Sequence, residues 1–167
     1  LTVTNFITVN TCGTQAASTP FFENFDNASL CSSGIGIQIT SDDFNWTLNS
    51  GTTISSGTGP TDDITGGGDY IYIEASSPRV QGDSALLQST NIDLSNLANP
   101  QLRFFSHMYG AAIGELSVWV TDNTGIATQV FIKNGDQGNQ WNEELVSLSN
   151  YNGVVQFKIL GVVGGGW

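Results

Sequence analysis

Two acidic doublets, Asp42–Asp43 and Asp62–Asp63, are the residues here best suited to holding a ligand, and each sits beside a loop rich in Gly, Thr and Ser. Carboxylates next to loop carbonyls suit a hard cation such as Ca2+, which takes about six to eight oxygen ligands. Neither doublet has the spacing of an EF-hand loop, so the competing expectation is that both cap turns or face solvent. Nucleophilic chemistry has little to draw on. The single histidine, His107, lies inside a strand-like run and reads as a packed, hydrogen-bonded core residue. No G-x-S-x-G elbow, H-E-x-x-H zinc motif or phosphate loop occurs in the sequence. Gly66–Gly68 precedes no helical pattern and reads as a turn, not a phosphate cradle. The expectation is a chain that is not an enzyme.

Cys12 and Cys31 are the only cysteines. A lone pair in a chain of secreted composition favours a disulfide over a metal site or a catalytic thiol. Four tryptophans, Trp46, Trp119, Trp141 and Trp167, are the residues able to stack on a sugar. Trp46 and Trp141 fall in structural patterns and read as core, which leaves Trp119 and Trp167 as the freer two. Asn27 and Asn45 head N-x-S/T sequons, glycosylated only in a suitable host. Asp83–Ser84–Ala85 fits a short bacterial O-glycosylation pattern that three residues match often by chance.

Those residues need a scaffold, and composition bounds it. At 167 residues the chain is the size of one domain with a real core. Four Lys and Arg against 15 Asp and Glu give a net charge of −11. Such a surface repels phosphate backbones and anionic lipid, so no nucleic acid partner is expected. No apolar run approaches the ~20 residues that span a bilayer, and no leader is evident, so membrane insertion is not expected either. Low charge content with abundant Gly, Ser, Thr and Asn fits an extracellular or secreted protein.

Period-2 alternation supplies the elements. Leu102–Thr121, LRFFSHMYGAAIGELSVWVT, holds two such runs around GAAIG and reads as a central β-hairpin. Its first run has apolar or aromatic side chains on both faces, which predicts an inner strand covered on both sides. Leu1–Val9 alternates as well, and further strands are expected at 34–40, 44–49, 70–74, 84–88, 128–133, 143–148 and 154–160. Residues 50–68 read as a long surface loop that something must tie down. About ten short strands and no helix predict an all-β sandwich or jelly roll, with Trp46, Phe104, Leu116, Val118 and Phe157 in its core.

The motifs FDNASLC (25–31), DDFNWTLNSGTT (42–53), SGTGPTDDITGGGDYIYIEASSP (56–78), GDSALLQS (82–89), LRFFSHMYG with IGELSVWV, and GDQGNQWNEELVSLSNYNG (135–153) resemble, in order and spacing, the MAM domain. This extracellular module occurs in meprins, neuropilins, receptor tyrosine phosphatases and bacterial surface proteins. The resemblance implies a jelly-roll β-sandwich with adhesive or interaction roles and no catalysis of its own. It also implies a structural Ca2+ or Na+ held by oxygens, with Asp26 and Asp83 in two of the family's ligand positions and Asp42 or Asp43 as a third. Gln101 stands where the family's second disulfide usually has a cysteine.

Beyond the equivalent of GVVGGGW the family continues with a strand of the type G-D-I-A-I-D-D-I, whereas this sequence ends at Trp167. Leu1–Val9 lies ahead of the family's usual start. The resemblance therefore implies an N-terminal strand (1–10) carrying Leu1, Val3, Asn5, Phe6, Ile7 and Val9, a linker (11–20) and a sandwich (21–167). A sandwich lacking a strand leaves backbone groups and an apolar groove to be filled. The strand either folds back on its own domain or enters a neighbour. Entry into a neighbour is head-to-tail and builds an open filament of identical copies unless it closes into a ring. Filament assembly is the favoured expectation, since a self-sufficient domain has no need to relocate its last strand. A monomeric carbohydrate-binding or cell-adhesion module with glycan partners is the alternative, and a third account makes both ends boundaries of an excised repeat.

Overall fold

A computed structural model of the chain describes residues 19–26 and 35–165. Leu1–Val9, Cys12, Asn27, Cys31 and Trp167 lie outside the described residues. Among the described residues ten strands are formed: β1 (Ile35–Gln38), β2 (Thr47–Ser50), β3 (Asp69–Tyr72), β4 (Ser84–Ser89), β5 (Ile92–Asp93), β6 (Gln101–His107), β7 (Glu115–Thr121), β8 (Ala127–Asn134), β9 (Trp141–Ser147) and β10 (Val154–Val162). No helix occurs among the described residues, and the fold is an all-β sandwich.

One layer is a six-stranded sheet in the order β1-β4-β10-β7-β8, with β5 paired to the start of β10. The other consists of two separate antiparallel ribbons, β2–β3 and β6–β9. Alternation decides which faces meet. Val155, Phe157 and Ile159 of β10 and Leu116, Val118 and Val120 of β7 point inward, against Leu102 and Phe104 of β6. Phe104 meets Phe131 of β8 edge to face at 5.0 Å. All five residues expected in the core are buried, from Phe104 and Val118 to Trp46.

The expected hairpin does not form. Among the described residues β6 pairs only with β9, while β7 pairs with β10 and β8, so residues 108–114 cross from one layer to the other. Each of the two strands has one strongly apolar face, and these faces cover each other across the core instead of lying side by side. Small residues permit the crossing: Gly110 takes φ 135°, and a Cβ on Gly114 would stand 2.1 Å from the Val162 carbonyl oxygen. Nor is β6 covered on both faces, because Gln101 and Arg103 are exposed on its outer side. β7 is the covered strand, with Leu116, Ser117 and Val118 all buried.

Two smaller differences have local causes. The second strand starts at Thr47 instead of Phe44, because the Gln38 side chain accepts from the Trp46 N–H (3.2 Å) and donates to the Trp46 carbonyl (2.7 Å). Those groups are thereby withdrawn from any ladder. The two residues of β5 are too few to show a period. Residues 51–68 do form a long loop, and it is tied down. The Tyr70 hydroxyl donates to Gly51 O (2.7 Å), Thr58 Oγ1 to Tyr109 O (2.7 Å) and Trp141 Nε1 to Asp62 O (3.0 Å).

Candidate functional site

Between β3 and the β6–β7 crossing runs a groove with ≈ 1080 Å³ of empty space, part of it open to solvent. Its floor is apolar, made by Trp46, Met108 and Leu116, while Tyr70, Tyr72 and Tyr109 form an aromatic wall. The wall follows from period 2. Ile71 goes into the core, so Tyr70 and Tyr72 share the opposite face, with ring centroids 6.3 Å apart. On β6, Ser106 goes inward and His107 outward, directly opposite Trp141 in the β6–β9 register. The rings of Tyr70 and His107 both pack edge-on against Trp141, at 5.9 and 5.3 Å. Loop residues Gly57–Pro60 close over this cluster, with Gly59 N–H donating to Tyr109 O at 3.4 Å.

His107 is half-buried, short of the full burial expected of it, and its Nε2 lies 3.1 Å from Asn139 Oδ1. Desolvation holds its pKa below the ordinary imidazole value, partly countered by the Asn139 contact, so the ring is neutral at pH 7. Tyr70 is fully buried, and burial raises its phenol pKa despite the hydrogen bond from Asn49.

The acidic residues act mainly as turn anchors. Asp63 Oδ1 accepts from the N–H groups of Gly66, Gly67 and Gly68, and Oδ2 accepts from the backbone and hydroxyl of Thr65. Gly66–Gly68 thus cradles an anion after all, but the anion is the chain's own carboxylate. Desolvation pushes the Asp63 pKa up, the hydrogen bonds pull it down, and the net result lies below the ordinary value. Asp26 approaches the same turn. Phe25, fully buried at φ 64°, delivers it to accept from Asp69 N–H at 2.8 Å. A Cβ on Gly68 would meet both the Asp26 and the Asp63 carboxylates.

Asp42 and Asp43 are placed elsewhere, clamping β4 through the N–H groups of Leu86 and Ser84. Asp83 accepts from Val80 N–H in the turn before β4. Asp26 is therefore brought beside Asp63, while Asp43 caps the start of β4 and Asp83 serves the turn that precedes it. No group of three or more His, Cys, Asp or Glu able to hold a metal occurs among the described residues. Asn45 is exposed, as a glycosylation acceptor must be, and the Ser84 hydroxyl is engaged with Asp43. Trp46 is core and donates to Ala85 O; Trp119 and Trp141 are half-buried. The aromatic groove itself was not anticipated, and its one sequence signal is the tyrosine alternation in YIYIE.

Fold and groove together define a β-sandwich module whose loop carboxylates serve its own turns. The chain belongs to the MAM domain family: the profile described as MAM domain, meprin/A5/mu, matches residues 24–166. It is 37% identical over 150 residues to the MAM domain-containing glycosylphosphatidylinositol anchor protein 1 of Gallus gallus, covering 84% of this chain and 15% of that protein. Similarity to the human anchor protein 2 is 33% over 143 residues (77% and 15%), and to Xenopus laevis neuropilin-1 34% over 128 residues (75% and 13%). The chain thus spans about one seventh of the length of these relatives. Among solved structures, the K1 cleaved adhesin domain of Lys-gingipain from Porphyromonas gingivalis W83 aligns with TM-score 0.47 and 16% identity, over 76% of this chain and 86% of that one. No helix of the described residues is long and apolar enough to cross a membrane.

Proposed function

We propose that this chain is a non-enzymatic, extracellular structural and adhesive subunit that assembles head to tail with other copies of itself, each supplying Leu1–Val9 as a strand to the next. The cell-surface setting is supported by relatives named as glycosylphosphatidylinositol anchor proteins, and the adhesive class by membership of the MAM domain family. Strand exchange is supported by one observation: among the described residues, the layer facing the six-stranded sheet consists of two ribbons with no ladder between them. An alternating nine-residue segment is the kind of element that mends such a break by β-augmentation. Burying four or five apolar side chains at ~1.5–3 kcal/mol each offsets much of the ~1–2 kcal/mol per residue that ordering the segment costs, and ladder hydrogen bonds and burial of the acceptor's own apolar wall supply the rest. Of the described tryptophans, none stands fully exposed as a sugar platform, so the monomeric glycan-binding reading has less support.

Deletion of Leu1–Asn10 tests the proposal. The full chain should form linear polymers by electron microscopy, and the shortened chain should give an unstable monomer that free LTVTNFITV peptide rescues without restoring growth. A full chain that stays monomeric at high concentration refutes it.

A further inference from the structure

We infer that the groove between β3 and the β6–β7 crossing is the acceptor for Leu1–Val9 of a neighbouring copy. This rests on the strand-exchange reading above and names the surface that it uses. Among the described residues no ladder joins the β2–β3 ribbon to the β6–β9 ribbon, and the groove runs between residues of the first, Tyr70 and Tyr72–Ser76, and the stretch His107–Gly114 that leaves the second. Its sides are two stretches of backbone that continue from the ends of β3 and β6, an elongated shape that suits an extended chain better than a compact ligand.

The chemistry of the walls matches the two faces of the segment. Leu1, Val3, Asn5, Ile7 and Val9 lie on one side of an extended Leu1–Val9, apolar except for Asn5 at its centre, and Thr2, Thr4, Phe6 and Thr8 on the other. The first set suits the apolar floor of Trp46, Met108 and Leu116; the second suits the tyrosine wall and the hydroxyls of Thr53 and Thr58. Leu1–Val9 has no charged side chain, whereas the protein carries −11, so docking opposes no like charge from the side chains. Small residues at Gly57, Ala111 and Ala112 keep the rim low, and a Cβ on Gly57 would meet nothing within 4 Å.

The position of Thr19 favours a neighbour's groove over the chain's own. Thr19 Oγ1 donates to Asp93 O, and Asp93 pairs with Val154 at the start of β10. The groove lies at the other end of that strand, where Gly161–Gly164 line it. Eight steps of β10 at ~3.3 Å separate the two ends by about 26 Å. A stretched linker between Val9 and Thr19 spans about 35 Å, so reaching its own groove consumes most of its length. A copy stacked end to end presents its groove without that stretch.

The test places a photoreactive benzoylphenylalanine at Phe6 of the full chain and maps the crosslinked peptides by mass spectrometry. Dimers joining position 6 to peptides from Tyr70–Ala75 or Met108–Gly114 are the expected result. Crosslinks to those same peptides within one chain keep the groove as acceptor and overturn the exchange reading. Dimers joined instead to β8 or another surface overturn the groove assignment while exchange stands. If the Phe6 variant does not assemble, the reciprocal probe at exposed Ala111, on the rim, should capture residues 1–9. Failure of both positions to capture the opposite segment overturns the inference.

Discussion

The indole of Trp46 lies against the bare backbone of Gly161: a Cβ built on the glycine would come within 3.0 Å of Trp46 Cζ2 and 3.1 Å of Ile73 Cδ1. The ring has little freedom to retreat, since it is buried and its Nε1 is bonded to Ala85 O at 3.0 Å. Gly161→Ala should therefore destabilise the fold by about 1–3 kcal/mol through overpacking, despite the smaller backbone entropy of alanine in the unfolded chain. Trp46→Ala should cost about 3–5 kcal/mol by leaving a cavity. Urea unfolding measures both, and an unchanged midpoint for either would contradict the packing described.

Asp63 organises the 51–68 loop through five hydrogen bonds. Asp63→Ala orphans several backbone donors at once and should cost about 1–3 kcal/mol. Asp63→Asn, which keeps one acceptor oxygen, should cost less. Because the folded pKa of Asp63 lies below 3.8, its contribution is present above pH 3.8 and is lost as pH falls through the folded value. Acid melts of the wild type and of Asp63→Asn should differ in slope only below that point.

His107 sets a milder pH dependence. Its folded pKa is lowered beneath 6.5, so between those values the unfolded chain binds more protons. Stability is thus complete above pH 6.5 and declines as pH falls from there toward the folded value. Melting temperature followed from pH 7.5 to 5 should fall in the wild type and fall less in His107→Gln.

Glu144 is buried, and its Oε1 accepts from both Lys133 Nζ and Ser106 Oγ. Lys133→Met leaves a buried carboxylate with one neutral partner; as Lys133 is partly exposed, a loss of about 1–3 kcal/mol is expected, below that of a fully buried pair. Adding Glu144→Gln should recover much of it. By contrast Arg103→Ala, which breaks the exposed Arg103–Glu143 pair, should move stability by less than about 1 kcal/mol. A thermodynamic cycle on 133 and 144 checks the coupling.

Strand content was legible because alternation is local: LRFFSH and ELSVWV each carry the period that places Phe104 and Val118 in the core. Pairing was not legible. Whether two such runs lie side by side or face to face depends on what their connection can do. Here Gly110 and Gly114 let the chain change layers where a hairpin turn had been expected. Family motifs located the acidic residues, but sequence order does not bring carboxylates together. Asp26 joins Asp63 because a left-handed Phe25 and the Gly66–Gly68 turn converge, and neither event shows in spacing alone. The groove was hidden for a similar reason, since it lies between segments about thirty residues apart in the sequence.

The placement of Thr19 and Gly164 at opposite ends of β10 also has a mechanical meaning. A pull applied at Gly164 runs along β10, which is laddered to β4 on one side and β7 on the other. Tension in that direction loads the two ladders in shear, so their bonds must yield together, whereas a pull across the strand would peel them one by one.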